Sequence, residues 1–282
     1  MTSETQRGRP AAERWARADD SLWSRVRPAR KSDAGRHLRD LCRNAGRLIA
    51  DHGLIRAGDR VVCALSGGKD SATLLEVLLR LRAKAPVPFA VSAIVVQPGF
   101  AGFDASAVAD FAAARGVETF RVDTDIRSTM ENLGWNASPC ALCSRLRRGV
   151  LYRVSAELGF NRLALGHHGD DAIETALLNM FFSGQVRSMA PRLEPEPPAP
   201  VVIRPLLTCF EADVAAYALA RDLRTTDTAC PLCDVSMDSE RKAIKHLLLD
   251  LSADHPRIRT SLLASLGNVD AGSLLDQRLT RR

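Results

Sequence analysis

A turn rich in glycine and serine separates an apolar run from a helical pattern and has the composition of a phosphate-binding loop. The sequence S-G-G-K-D-S at residues 66–71 follows Arg60–Leu65, a short apolar run typical of a buried strand. Gly67 and Gly68 permit a tight turn and a close backbone approach, and the first amides of the following helix can donate to an anion. We therefore predict a phosphate site at this turn.

The polar side chains of the same loop fit a nucleotide and its counterion. Lys69 adds positive charge, Ser66 and Ser71 offer hydroxyl donors, and Asp70 can hold Mg²⁺ or cap the helix. A Walker A loop requires four residues between its first Gly and the Gly-Lys pair, so this is a different motif. The loop resembles the PP-loop of ATP pyrophosphatases, which implies cleavage between the α- and β-phosphates of ATP and transfer of AMP to an oxygen.

Four of the seven cysteines form two C-x-x-C pairs, Cys140 with Cys143 and Cys230 with Cys233. Four thiolates at this spacing suit a tetrahedral metal site, and they also suit an iron–sulfur cluster. The residues by themselves favour structural zinc. A redox-active pair that carries sulfur as a persulfide is a further alternative.

Basic residues follow the first cysteine pair directly, in the sequence S-R-L-R-R-G at residues 144–149. Arg147 and Arg148, with Arg145 on the same segment, can contact phosphates of ATP or RNA. A solvated helix face is the alternative. The neighbouring cysteines favour the functional interpretation.

The sequence G-H-H-G-D-D at residues 166–171 ends another apolar run and begins another helical pattern. Because the carboxyl ends of parallel strands meet at one edge of a sheet, we expect this turn to lie beside the phosphate loop. Gly166 and His167 are candidate ATP contacts, and Asp171 is a candidate because carboxylates can hold Mg²⁺. Individual roles for His168 and Asp170 stay open.

Alternation of short apolar runs with longer helical patterns predicts an α/β fold with a doubly wound, mainly parallel sheet. The predicted strands are Arg60–Leu65, Phe89–Val96, Glu118–Val122, Arg162–Leu165 and Val201–Ile203. The predicted helices are Ser71–Ala83, Ala105–Arg115, Ser144–Leu158, Asp170–Phe182, Glu211–Ala220 and Lys242–Leu251. We predict a loop at Ser128–Pro139 and, because of its prolines, an exposed connection at residues 194–200. Cys42, Cys63 and Cys209 are expected to be ordinary buried thiols.

Charge is concentrated at the beginning of the chain. Residues 1–60 contain fourteen Lys/Arg and eight Asp/Glu, so this stretch carries a net charge equal to the +6 of the whole chain. We predict a basic helical N-terminal extension at 1–57 that guides a polyanion, a PP-loop ATP-binding domain at 58–225 and a small C-terminal helical segment at 226–282. A solvated extension is the alternative for the first segment. Neither a membrane span nor a secretory signal is evident, so we expect a cytoplasmic protein.

Several motifs in this order resemble the tRNA-cytidine 2-sulfurtransferase family: S-G-G-K-D-S, C-A-L-C-S-R-L-R-R-G, A-L-G-H-H-G-D-D, L-N-M-F-F, V-I-R-P-L and P-L-C. The resemblance extends from about Gly46 to Leu251 and implies a PP-loop (HUP-like) Rossmannoid fold. It also implies a 4Fe–4S cluster held by Cys140, Cys143 and Cys233, with Cys230 a less favoured ligand, and so replaces zinc.

By the same resemblance, the expected reaction modifies the cytidine at tRNA position 32, in the anticodon loop. ATP with Mg²⁺ adenylates O2 of the base, and sulfide carried by the cluster then attacks C2. The resemblance places Asp70, Lys69, Cys140 and Cys143 in the catalytic set. It also implies tRNA as substrate and a cysteine desulfurase as sulfur donor, and a homodimer is one assembly to consider.

The chain departs from the family pattern in two places. The sequence D-V-S-M follows Cys233 where family members have G-S-Q, and Gly169 stands where an Arg is common. A related sulfurtransferase for another tRNA base or a small molecule is therefore the first alternative. A non-catalytic, zinc-containing RNA-binding protein is the second, and a PP-loop ligase such as lysidine synthetase ranks last because it has no use for the cysteine pairs.

Overall fold

The computed structural model describes residues 33–134, 139–223 and 239–277. These residues form two compact units. The first comprises 33–134, 139–168 and 190–223, and the second comprises 169–189 and 239–277. The division at 57/58 and 225/226 that the sequence suggested stays a prediction.

The first unit is built on a six-stranded sheet. Its strands are β1 (Arg60–Leu65), β2 (Ala90–Gln97), β3 (Thr119–Asp123), β4 (Arg162–Ala164), β5 (Arg192–Leu193) and β6 (Val201–Ile203). They lie in the order β3-β2-β1-β4-β6-β5, and every neighbouring pair is parallel except β5 with β6. The predicted α/β fold with a mainly parallel sheet is confirmed. Strand β5 was not predicted because two residues are too short to show a period.

One helix precedes the first strand, and the others connect strands or follow the last of them. In chain order they are α1 (Ala34–Asp51), α2 (Lys69–Arg82), α3 (Ala105–Ala113), α4 (Ile126–Asn132), α5 (Pro139–Glu157), α6 (Gly169–Phe182), α7 (Glu211–Ala220), α8 (Ser239–Asp254) and α9 (Ile258–Ser265). A short 3₁₀ turn follows at Ala271–Ser273. Helices α6, α8 and α9 belong to the second unit, in which α6 packs against both of the others.

Alternate residues of β1 face opposite layers of helices, as the two-residue period of a strand requires. Val62 belongs to a buried cluster with Ile94 and Leu163, and apolar residues of α5 cover this cluster. Cys63 points to the other face, where its Sγ lies 3.9 Å from the carbonyl oxygen of Ser71 in α2. Helices therefore cover both faces of the sheet.

Helix α1 lies within the segment interpreted as a basic extension, and it packs against α2 and α7. Leu41, Ala45 and Leu48 on one side of α1 are buried. Thr208, which lies just before α7, donates its hydroxyl to the carbonyl oxygen of Asn44 at 3.3 Å. Part of this segment thus contributes to the core of the first unit, and residues 1–32 lie outside the described part.

The predicted loop at Ser128–Pro139 is wrong, because its first part is helical. Ile126 and Met130, four residues apart on α4, are both buried against Phe100 and Val96. Helix α5 begins at Pro139, five residues before the predicted start, since proline is favoured at the first helical position. The first cysteine pair therefore lies on a helix. In the described part of the chain, no helix has the length and apolarity needed to cross a bilayer.

Candidate active site

The phosphate loop connects the carboxyl end of β1 to α2. Gly67 has a φ of +81°, a value that residues with a side chain rarely adopt, and Gly68 is the extended N-cap of α2. The helix therefore begins at Lys69, two residues before the predicted start. Asp70 lies in the first turn of α2 and is not its cap, so this alternative for Asp70 is wrong.

Hydroxyl groups brace the loop from within. The Ser71 hydroxyl donates to the carbonyl oxygen of Gly68 at 2.9 Å and accepts from the backbone N–H of Ser66 at 3.1 Å. The Ser66 Oγ lies 3.2 Å from the Ser71 Oγ. Ser71 in this structure thus shapes the turn, while Ser66 is exposed at its mouth.

Gly166 lies against the same loop. A Cβ atom on Gly166 would lie 3.0 Å from both the carbonyl carbon of Asp70 and the backbone nitrogen of Ser71. Real Cβ atoms rarely come this close to backbone, so a larger residue here would force the phosphate loop to shift by a few tenths of an ångström. The expectation that the turn after β4 meets the phosphate loop is confirmed at this residue.

The ammonium of Lys69 lies between two carboxylates. Its Nζ is 3.0 Å from Asp70 Oδ1 and 3.0 Å from Glu211 Oε1, and the side chain is 11% exposed. Burial disfavours the charged form, but the two carboxylates outweigh it and raise the pKa of Lys69 above its ordinary value. Lys69 therefore carries a permanent charge that is largely neutralised within the protein.

Glu211 was not among the residues singled out from the sequence. It is the first residue of α7, where an acidic side chain is common because it favours the positive end of a helix. Because such a residue is common at a helix start, the sequence offered no reason to expect its contact with Lys69, 142 positions earlier. A local pattern carries no signal for such a pair.

The two histidines and the two aspartates after β4 fall in different units. His167 is half-buried and His168 is buried in the first unit. Asp170 and Asp171 begin α6 in the second unit. The side chain of Asp170 is 4% exposed and forms an ion pair with Arg259 of α9.

A second acidic residue of α6 also faces a cation. Glu174, one turn after Asp170, is buried, and its Oε1 lies 4.0 Å from the Nζ of Lys245 in α8. The two carboxylates thus face cations on α8 and α9. Arg259 and Lys245 gave no sequence signal, because isolated basic residues on an amphipathic helix are ordinarily solvated.

The first cysteine pair occupies the first turn of α5. Cys143 is buried in a cluster with Val96 and Met130, and Cys140 is partly buried against the same cluster. Residues three apart on a helix share a face, so both sulfur atoms lie on the side of α5 that faces this cluster. Cys230 and Cys233 lie outside the described residues.

The three arginines that follow this pair line α5. Arg145 and Arg148 are exposed, and Arg147 is half-buried.

In residues 33–134, 139–223 and 239–277, no group of three or more His, Cys, Asp or Glu side chains is placed to hold a metal ion.

The remaining cysteines described by the structure behave as ordinary thiols. Cys63 and Cys209 are fully buried, as predicted, whereas Cys42 is only half-buried. Burial raises the pKa of Cys209 to about 12 and that of Cys42 to about 11. Both groups therefore stay protonated near neutral pH, which argues against a role in sulfur transfer.

Comparison with known proteins identifies a family and several relatives of this chain. The sequence profile of the PP-loop domain family matches residues 37–246. The tRNA-cytidine(32) 2-sulfurtransferase of Sorangium cellulosum is 44% identical over 245 residues, which cover 86% of each chain. The enzyme of the same name from Geobacter sulfurreducens is 41% identical, covering 84% of this chain and 92% of its own.

A solved structure shows a similar fold. The U34-tRNA thiolase of Methanococcus maripaludis, determined with its 4Fe–4S cluster, superposes with a TM-score of 0.68. The match covers 87% of this chain and 80% of the thiolase at 24% identity. This degree of similarity supports the α/β architecture described above.

Proposed function

This chain belongs to the PP-loop domain family and, within it, to the tRNA-cytidine(32) 2-sulfurtransferases, and from that premise we propose that it thiolates tRNA at the expense of ATP. In the proposed reaction, cytidine O2 attacks the α-phosphorus of ATP and pyrophosphate leaves. Sulfur then replaces the activated oxygen at C2, and AMP departs with that oxygen. The acceptor is the anticodon-loop cytidine at tRNA position 32.

One observation carries the proposal: the phosphate loop and the cysteine pair are associated with neighbouring strands at the same edge of the sheet. The last residue of β1, Leu65, pairs with Val95 of β2, and the loop begins at the next residue. Cys143 packs against Val96, the residue after Val95. Since paired strands are about 4.8 Å apart, ATP and a sulfur carrier would meet over these two strands.

The loop fits the phosphates of ATP and a magnesium ion. The glycine at φ +81° and the close approach of Gly166 leave backbone rather than side chains around the first turn of α2. The N–H groups of that turn would hold the phosphates. Asp70, whose carboxylate is 32% exposed, would provide oxygen to Mg²⁺. His167 and Asp171 are further proposed ATP contacts.

The cysteine pair fits an iron–sulfur cluster. Two sulfur ligands on one helical turn, with apolar neighbours such as Met130 and Phe100, are typical of thiolate sites shielded from water. Cys140 and Cys143 would hold the 4Fe–4S cluster together with Cys233, and Cys230 is the less favoured fourth candidate. When bound, the cluster would supply an iron at which the transferred sulfur is carried.

The other side chains would bind and orient the substrates. Lys69 would fix the start of α2 through Asp70 and Glu211 and offset the negative charge that Asp70 brings to the ATP site. Arg145, Arg147 and Arg148 would contact RNA phosphates from the helix that carries the cysteines. A cysteine desulfurase as sulfur donor, a homodimer and a cytoplasmic location remain proposals that follow from the family.

Nucleoside analysis of tRNA tests the proposal. In a strain without this gene, 2-thiocytidine should be absent, and the wild-type gene should restore it. Cys140→Ala should fail to restore it, whereas Cys42→Ala should restore it fully, because Cys42 lies on α1 and is not part of the cluster around the pair. Unchanged 2-thiocytidine in the deletion strain would refute the assigned acceptor.

The absorption spectrum of anaerobically purified protein separates the cluster from zinc. Thiolate-bound iron–sulfur clusters absorb visible light at about 400 nm, whereas thiolate-bound zinc does not. Wild type and Cys42→Ala should be brown, and Cys140→Ala should lose most of the absorbance. A colourless wild type that contains zinc would favour the non-catalytic RNA-binding alternative.

A further inference from the structure

Four large apolar side chains are exposed at the C-terminal end of α6 and in the turn that follows it. They are Met180, Phe181, Phe182 and Val186, and we call them the apolar patch. Phe181 is 56% exposed and Phe182 is 49% exposed. The patch lies within the second unit and exposes about 400 Å² of apolar surface, a size that often marks a binding surface.

Hydrogen bonds hold the turn of the patch against α6. The backbone N–H of Gln185 donates to the carbonyl oxygen of Asn179 at 3.0 Å. The Asn179 side-chain amide donates to the carbonyl oxygen of Arg187 at 2.9 Å. The Ser188 hydroxyl donates to the carbonyl oxygen of Ala172 at 2.6 Å. The apolar side chains are therefore presented on a fixed backbone, which lowers the cost of ordering them on binding.

The charges around the patch favour a partner that is anionic and has flat apolar faces. Arg187 is exposed and directly follows Val186, and residues 175–189 contain no Asp or Glu. The C-terminal end of a helix has a partial negative charge, which opposes a phosphate placed directly on the patch. The faces of RNA bases are uncharged and stack on aromatic rings, while a basic side chain nearby can contact the phosphates that join them. Single-stranded RNA fits this combination.

A second copy of this chain is a less suitable occupant. Each subunit of a stable dimer buries about 800 Å², and the apolar patch supplies about half of that area. The rest would have to come from polar neighbours such as Gln185 and Arg187, which are both exposed. The area therefore favours contact with a few bases over self-association.

The two rings are oriented for bases that change direction. The ring centroids of Phe181 and Phe182 are 6.5 Å apart, and the ring planes differ by 69°. A base stacks with its plane parallel to the ring, so bases on the two rings cannot be parallel to each other. Bases in a duplex are parallel, whereas the unpaired bases of a loop can be splayed out. The patch thus suits a loop better than a duplex.

We propose that the apolar patch binds unpaired bases of an RNA loop, which stack on the rings of Phe181 and Phe182 while Arg187 contacts a neighbouring phosphate. The class of RNA rests on the proposed function, because the anticodon loop of tRNA offers such unpaired bases. Stacking of this kind adds affinity with little dependence on base identity. The patch is therefore a binding surface for the loop.

Fluorescence anisotropy with the anaerobically purified full-length protein tests the proposal. The probe is an RNA hairpin with the sequence of an anticodon arm, and a duplex of the same stem without the loop is its control. The ring-removal variant (Phe181→Leu with Phe182→Leu) should bind the hairpin about 10-fold more weakly, because leucine keeps apolar surface but has no ring face. The ring-retaining variant (Phe181→Tyr with Phe182→Tyr) should bind as wild type does. The duplex should not distinguish these proteins.

The salt dependence of hairpin binding separates base contacts from phosphate contacts. The ring-removal variant should leave the slope of log affinity against log salt unchanged, because it removes no charge. Arg187→Gln should lower the slope by about 0.7, the value for one lost contact to a single strand. Leu275→Ala is the matched control, since Leu275 is a fully exposed apolar residue of the same unit outside the patch. It should change neither affinity nor slope.

The proposal fails if the ring-removal variant binds the hairpin as wild type does, or if Leu275→Ala weakens binding equally. It also fails if the ring-removal variant changes the oligomeric state in sedimentation without changing hairpin affinity, since the patch would then join two copies. Both rings are exposed, so the variants should fold normally, and circular dichroism will verify this. Ring-dependent hairpin binding would stand even if tRNA from the deletion strain keeps its 2-thiocytidine, so the two proposals fail separately.

Discussion

The turn from β1 into α2 and the turn from β4 into α6 begin with similar residues and place them in different surroundings. Each has a glycine before or at the helix start and an acidic residue in the first turn. The Asp70 side chain is 32% exposed beside a lysine, whereas the Asp170 side chain is 4% exposed and paired with Arg259. Two acidic residues at helix starts thus differ in burial: the Asp70 carboxylate stays accessible to solvent, whereas the Asp170 carboxylate is enclosed in an ion pair.

Asp170→Asn should have the largest effect and should act on stability. The change leaves Arg259, which is 18% exposed, without its carboxylate partner. We expect the free energy of unfolding to fall by about 3 kcal/mol, as when one member of a buried ion pair is removed. Urea denaturation measures this change.

Two controls sharpen the comparison. Asp70→Asn should lower stability by about 1 kcal/mol or less, because water reaches this carboxylate, but it should abolish tRNA thiolation. Glu157→Gln, in an exposed pair, should lower stability by less than about 0.5 kcal/mol. Equal losses for Asp70→Asn and Asp170→Asn would show that the two turns do not differ as described.

Gly166→Ala should come next and should act on ATP binding. The added Cβ would lie 3.0 Å from the backbone of Asp70 and Ser71, so the phosphate loop must move. A shift of a few tenths of an ångström in the loop is required, and because a misplacement of about 1 Å can cost about 100-fold, we expect activity to fall by about 10-fold. Steady-state tRNA thiolation at varied ATP concentrations measures the loss.

Gly149→Ala is the matched control for this prediction. Gly149 lies within α5 with no atom within 4 Å of an added Cβ. Alanine in a helix interior should stabilise the protein by up to about 1 kcal/mol, without changing the ATP dependence. If Gly166→Ala also leaves the ATP dependence unchanged, the close approach of the two turns has no functional role.

Glu211→Gln should have the smallest effect. It removes one of two carboxylates around Lys69, and we expect a loss of about 1 kcal/mol in unfolding free energy. The pKa of Lys69 is raised above its ordinary value of 10.5. The stabilisation is therefore fully present below about pH 10 and is lost only as the pH rises through the raised pKa.

The difference between wild type and Glu211→Gln should consequently stay constant from about pH 6 to pH 9, because this whole interval lies below the ordinary lysine pKa of 10.5. Urea denaturation at several pH values within this interval measures it. A difference that disappears within the interval would mean that Lys69 loses its proton there, contrary to the contacts described.

Patterns within the sequence were sufficient for every strand described except β5, and for the position of the phosphate loop. The strand Val201–Ile203 and the helix Glu211–Ala220 were predicted with their observed bounds, because apolar periodicity marks both. The start of α5 was missed, since the sequence around Cys140 has weak periodicity and Pro139 suggested a loop. Local patterns locate elements well where one face is uniformly apolar.

Long-range charge contacts could not be predicted in the same way. Lys69 was expected to face phosphate, and its contact with Glu211 depends on how α7 packs beside α2. The role of Asp170 stayed open at the level of the sequence, because its partner Arg259 lies 89 positions later. Tertiary packing determines which charged residues form ion pairs over such separations, and a single sequence does not reveal that packing directly.

The packing of α1 against α2 and α7 has a consequence for synthesis of the chain on the ribosome. Leu41 of α1 is fully buried, and its carbonyl oxygen lies 3.9 Å from the Sγ of Cys209, 168 positions later. The part of the apolar side of α1 that contacts α7 therefore stays uncovered until α7 has emerged. The helix that begins at the phosphate loop gains its full support only late in translation, so this long-range contact sets when the nucleotide site becomes complete.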